Sequence, residues 1–155
     1  MTQVELFGPP DGDRPGFRTV SGAPAGLKRL LLAVGRLAEG DRGPTHLHEG
    51  EEILHVLSGR LRVRLGDGFI NAGPKSVVAV PAGVVHGFDV IEEALLEVIA
   101  EQRIGTLYRV RDDTGAARLV EVHRADMPWG RPPPEGSGWT SDAELQQILE
   151  HLDPD

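Results

Sequence analysis

His46 and His48 stand two residues apart in the run Gly40-Asp41-Arg42-Gly43-Pro44-Thr45-His46-Leu47-His48-Glu49-Gly50-Glu51-Glu52. On an extended strand such residues share a face, with Cα atoms roughly 6.5 to 7 Å apart, so both imidazoles can reach one metal ion. Glu52 lies past the Gly50 turn, where a returning strand can bring its carboxylate to the same point. His86 follows Pro81-Ala82-Gly83 and can enter from a further strand whose inward residues are His86, Phe88 and Val90. Three neutral imidazoles and a carboxylate suit a single divalent ion (Fe, Mn, Ni, Cu, Co or Zn). They leave positions on an octahedral ion open for water, O₂ or substrate.

The remaining polar residues read as structural. His55 falls on the strand face opposite Glu52, Leu54 and Val56, at the surface or an interface, while His123 and His151 read as solvated. Glu49 and Glu51 are solvent carboxylates beside the site, the alternative role for one of them being a pocket base; Glu52 could itself act as base. Arg60, Arg62 and Arg64 alternate with Leu61, Val63 and Leu65, which predicts a half-buried strand with its arginines on the solvated side. Trp129 and Trp139 flank a Pro/Gly-rich segment and either pack on the exterior or cap the mouth of the site.

The elements that must carry these groups are short and extended. The chain has 155 residues, one domain's worth, with 20 glycines and 12 prolines. That is about a fifth of the chain against roughly 12% in average usage, which favours strands and turns over a helical bundle. Strand-like runs at 28–34, 52–57, 61–65, 76–80, 86–90 and 95–100 are each bounded by Gly, Pro or Asp, with a weaker one at 17–20. A hairpin is predicted from 107–110 and 118–122 around Asp112-Asp113-Thr114-Gly115. Strands recurring without intervening helices argue for an all-β antiparallel sandwich or barrel. Residues 1–27 form an N-terminal arm, 28–122 the barrel, 123–140 a linker, and 141–153 a short C-terminal α-helix. That helix opens on a Ser141-Asp142-Ala143-Glu144 capping box, with Leu145, Ile148, Leu149 and Leu152 as its apolar stripe.

The histidine segment resembles the cupin family. Its first motif, G-x5-H-x-H-x3-E-x6-G, is met by Gly40, His46, His48, Glu52 and Gly59; its second, G-x5-P-x-G-x2-H-x3-N, by Pro81, Gly83 and His86. Lys75 stands where the second motif has its first glycine, and Val90 where it has asparagine; neither departure removes a ligand type. The likeness spans about residues 28 to 100 and implies a jelly-roll β-barrel with one metal ion inside its open end.

The inward positions, Leu54, Val56, Leu61, Val63, Val78, Val80, Phe88, Leu96 and Val98, predict an apolar cavity around the ion. A small, largely apolar or aromatic molecule fits such a cavity better than a sugar phosphate. The leading expectation is an O₂-using dioxygenase. The alternatives are a non-redox isomerase, cyclase or decarboxylase working through an enolate, and a non-catalytic binding or sensing barrel.

A formal charge of −8 argues against a nucleic-acid or anionic-membrane partner. No run approaches a membrane span, since the longest apolar stretch, 77–85, contains Pro81 and Gly83. Without cysteine or a secretory pattern at the start, the expected address is the cytoplasm. Runs 30–34 and 98–100 are apolar on both faces, which predicts that a partner subunit or the final helix covers the outer side, with a homodimer as the expectation.

Overall fold

The computed structural model describes residues 16–21, 27–101, 105–123, 135–136 and 138–153. Its elements in chain order are β1 (Gly16–Ser21), β2 (Leu30–Leu37), β3 (Arg42–Leu47), β4 (Glu52–Leu65), β5 (Gly68–Ala72), β6 (Val77–Val80), β7 (His86–Glu101), β8 (Thr106–Arg111), β9 (Ala117–Val122) and α1 (Asp142–Glu150). All strand pairings are antiparallel. The expected pairs 52–57 with 61–65, and 86–90 with 95–100, are each one long strand, β4 and β7. β5 went unpredicted, because Gly68-Phe69-Ile70-Asn71-Ala72 carries no apolar alternation.

The two long strands belong to both halves of the sheet. Residues 52–55 of β4 pair with β6 and residues 52–56 with the distal part of β7, whereas residues 61–65 pair with β5 and with the start of β7. On its other edge β7 pairs first with β3 and later with β2. One half therefore runs β1-β2-β7-β4-β6 and the other β9-β8-β3-β7-β4-β5, the antiparallel jelly-roll arrangement, and the ladder does not close on itself.

The corner in β4 is at Gly59, whose φ is +79°. A Cβ there would strike the Glu93 carbonyl oxygen and the Ala94 Cα, so only glycine lets the two long strands bend past each other. Register shifts flank this corner between Val56 and Leu61.

Both halves contribute to one core of Leu37, Leu54, Val56, Leu61, Val63, Val78, Val80, Val90 and Leu96, with Phe88 and Val98 against it. All nine inward positions read from the sequence are among these residues. Arg64 corrects the solvated-arginine reading: it is 7% exposed, and its guanidinium donates to the Gly43 carbonyl at 2.8 Å. Its neighbour across β7 is Gly87, whose missing side chain leaves room for the guanidinium to lie over the strand. Arg60 pairs with Glu92 as expected of an exposed face, and Arg62 lies 4.0 Å over the Phe69 ring.

The Asp112–Gly115 turn forms as its composition predicts, with Asp112 Oδ1 accepting from the amides of Thr114 and Ala116. The chain closes on α1, where Ser141 is the N-cap and both bonds of the capping box are made. Leu145 and Ile148 of its stripe are half-buried, and Leu149 is exposed. Beyond the helix, Leu152 bridges Val110, and buried Asp153 forms an ion pair with Arg109 at 2.7 Å and accepts from Arg111 Nε at 3.0 Å. Most of the predicted linker, Trp129 included, lies outside the described residues.

Candidate metal centre

β3 carries His46 to its penultimate position, and His48 follows one residue past its end. Antiparallel pairing sets His46 directly opposite His86, the first residue of β7. Gly83, at φ +76°, turns the loop before β7 and donates its amide to the His48 carbonyl at 2.8 Å. That bond ties the two motif segments together at the site.

Each ring is held by a backbone carbonyl two residues away. The Nδ1 of His46 donates to Pro44 O at 2.7 Å, that of His48 to Gly50 O at 2.9 Å, and that of His86 to Val84 O at 2.8 Å. A carbonyl only accepts, so each Nδ1 bears a proton, which leaves Nε2 as the ring atom through which a neutral histidine could bind an ion. The ligand atoms of the three histidines lie within 4.8 Å of one another, a group that could hold one metal ion.

Glu52, the first residue of β4, is 8% exposed and reaches two of the three rings. Its Oε2 is 3.1 Å from His48 Nε2 and its Oε1 is 3.8 Å from His86 Nε2. Two acceptors at 3.1 Å require a positive centre, a proton or a metal ion, between them. The donor set therefore fits a divalent cation. Of the four residues picked from the sequence, the three histidines converge as one group and Glu52 touches two of them.

A cavity of about 310 Å³ opens beside this cluster, lined by Leu31, Leu54, Phe88 and Val98 and by the polar groups Asp41, Arg42, His46, Glu52 and Tyr108. Sequence reasoning does not single out Tyr108. Its neighbours Thr106 and Val110 alternate inward with it on β8, which is the pattern that would have placed its ring inside. The ring lies 5.8 Å from that of His46, its register partner. Glu49 and Glu51 are exposed, and His55 is half-buried on the outer face with Glu97 at 3.0 Å, as their positions predict. His123 is the exception: it is 7% exposed, near Glu121, where a solvated residue was expected. It ends the β8–β9 hairpin and is sealed by Thr140, whose amide donates to its carbonyl. Trp139 lines a separate groove between that hairpin and α1, whose lining includes none of His46, His48 and His86.

The family profile described as "Cupin domain" matches residues 33–100, the segment that holds all four candidate ligands. Residues 33–100 form a domain of the cupin superfamily. Solved structures with the cupin fold include KdgF from Halomonas sp., with 22% identity, a TM-score of 0.51, and coverage of 60% of this chain and 86% of that one. The TT1209 protein from Thermus thermophilus is 24% identical, at a TM-score of 0.52, with 65% and 97% covered. The polyketide cyclase RemF from Streptomyces resistomycificus is 23% identical, at a TM-score of 0.50, with 76% and 80% covered. At these identities the likeness is one of fold. No match is found among curated proteins. Among the described residues of this cupin, no helix is long and apolar enough to cross a membrane.

Proposed function

We propose that this cupin is a metal-dependent enzyme acting on a small, largely apolar or aromatic molecule bearing an enol, phenol or carboxylate oxygen. The observation that carries the reading is the convergence of three histidines, each held through Nδ1 by a backbone carbonyl, one of which, His46, lines a mostly apolar cavity together with Glu52. His46, His48, His86 and Glu52 are the residues that would hold the ion. When bound, a divalent ion supplies Lewis acidity toward a substrate oxygen and, if redox-active, the means to use O₂.

The chain's own residues supply the rest. The carbonyls of Pro44, Gly50 and Val84 fix the tautomer and aim of each ring before anything binds. Leu31, Leu54, Phe88 and Val98 exclude water and favour an apolar body over a sugar. Glu52, with one oxygen toward His48 and the other toward His86, can hold a proton at Oε1 or Oε2 when its ligand role is relaxed.

The reaction we favour is dioxygenation. A second reading, non-redox cyclisation or isomerisation through an enolate, is favoured by the fold-level likeness to the polyketide cyclase RemF. The deciding experiment is elemental analysis of protein purified without nickel affinity, followed by oxygen uptake with a panel of enols and phenols. Bound iron with oxygen consumption supports the first reading, and zinc with substrate turnover but no oxygen uptake supports the second. Absence of both metal and turnover overturns the enzyme reading and leaves a binding barrel.

The expected homodimer belongs, in this proposal, on the outer face of β2, β7, β4 and β6. There Leu32, Ile99, Ile53 and Ala79 form one cross-strand row, and Leu30, Leu57 and Val77 stand exposed beside it. Light scattering of wild type and Ile53→Glu tests it: a dimer that becomes monomeric supports the placement, and an unchanged state refutes it.

A further inference from the structure

We infer that Gly43 and Phe88 form a matched pair that sets the size of the molecule admitted to the cavity, with Phe88 as its specificity-determining wall. The inference rests on the reading of the cavity as the substrate site and adds a size rule to it. A compact, single-ring body is accepted, and one extended by a fused ring is turned away.

Strand register makes the pair. Gly43 of β3 lies directly opposite Phe88 of β7, and both line the cavity together with His46. Phe88 alternates along β7 with His86 and Val90, both buried, so its side chain shares their inward face. Among the described residues of the lining it carries the largest hydrocarbon side chain. Its ring occupies the space that a side chain at residue 43 would need. A Cβ there would strike Cε1 of the ring and come within 2.6 Å of Cδ1 and 2.8 Å of Cζ. The missing side chain is what lets the ring lie back against β3.

The ring has one direction in which to give. β3 backs it on one side, and the buried core packs against it on another. A close-packed core yields little room, so the space left is the cavity itself. A methyl group at residue 43 drives the ring into that space, and removal of the ring enlarges it. The cavity volume of about 310 Å³ stands at the lower end of the roughly 300 to 1,000 Å³ usual for ligand sites, so the place of one ring decides which molecules enter.

The test uses zinc-loaded full-length protein and calorimetric titration with phenol and 1-naphthol, which carry the same hydroxyl and differ by one fused ring. Zinc content should be the same in wild type and variants, since neither residue belongs to the histidine cluster. Phe88→Ala should raise the affinity ratio of 1-naphthol to phenol at least about tenfold, and Gly43→Ala should lower it about tenfold, the scale on which a pocket senses added or missing carbons. The double variant should lie within about threefold of Phe88→Ala, because no ring remains for the new methyl to displace. Phe88→Leu, the milder change, should move the ratio in the same direction by less. A ratio unchanged in the Phe88 variants overturns the inference, as does a Gly43→Ala effect that persists in full in the double variant. Loss of zinc from both Phe88 variants also overturns it, since the ring would then be a support for His86. Wild-type protein that takes up no zinc overturns the metal reading alone, and the ratios measured without metal then decide the size rule by the same criteria. Wild type and Phe88→Ala that both fail to bind either probe overturn the substrate-site reading and the size rule together.

Discussion

His48 Nε2 faces Glu52 Oε2 at 3.1 Å while the opposite nitrogen of the same ring donates to Gly50 O. With Nδ1 committed to a carbonyl, this contact needs a proton or a metal ion between its two atoms, and its place beside the other two histidines is what makes a metal ion the reading we propose.

Replacing His48 by Ala removes one of three converging nitrogens and should weaken metal binding by more than about 100-fold, beyond what loss of a supporting contact costs. The fold should persist, because the core is built from other residues. Elemental analysis after dialysis and far-ultraviolet circular dichroism check both parts; equal metal content in the variant and wild type would contradict the site.

Metal at about 100 times its dissociation constant should raise stability by about 2.7 kcal/mol. For a chain of this length that is about 5 to 10 °C in Tm. Scanning calorimetry with added zinc and with a chelator measures the difference, and coincident transitions would count against a folded-state site.

Lys75 adopts φ +68°, the one non-glycine residue with positive φ among those described. It closes the Gly73–Ser76 turn behind Pro74, where a type II turn calls for glycine. Lys75→Gly should therefore stabilise the protein by up to about 1 kcal/mol, the relief of left-handed strain less the added freedom of the unfolded chain. Urea denaturation would show a higher midpoint at unchanged slope; a lower midpoint would mean that the lysine side chain contributes more than the strain costs.

Arg64 and Gly87 should behave as a coupled pair. Arg64→Met leaves the Gly43 carbonyl without its donor and should cost about 1 to 3 kcal/mol. A Cβ on residue 87 would come within 2.6 Å of the guanidinium, so Gly87→Ala should cost a similar amount. In the double variant the losses should fall short of their sum by more than about 0.5 kcal/mol. Strict additivity in a denaturation cycle would separate the two residues.

Acid should loosen the C-terminal helix. Hydrogen bonds from the Ser141 amide and hydroxyl hold the Glu144 carboxyl below its ordinary value of 4.5. A depressed folded value contributes stability that is fully present above 4.5 and is lost as pH falls through the lower, folded value. The helical dichroism signal should decline across that window, and Glu144→Gln should flatten the pH dependence. A Gln variant with the wild-type acid profile would remove the capping box as its cause.

Much of this was legible one residue at a time. Alternation over residues 60–65 set Leu61 and Val63 inward, the capping box set the start of α1, and the spacing of His46 and His48 announced a shared face. These are local properties, fixed by a two-residue or four-residue repeat along a single segment. The burial of Arg64, the sealing of His123 and the arrival of Tyr108 opposite His46 depend on which strand lies beside which, a matter of long-range pairing that no local pattern encodes. The ligand types could thus be read from the chain alone. Their aim, with each Nδ1 tied to a carbonyl and each Nε2 left as the atom that could bind an ion, was decided only when β3, β4 and β7 met, because a hydrogen bond needs its partner in place before it can choose a tautomer.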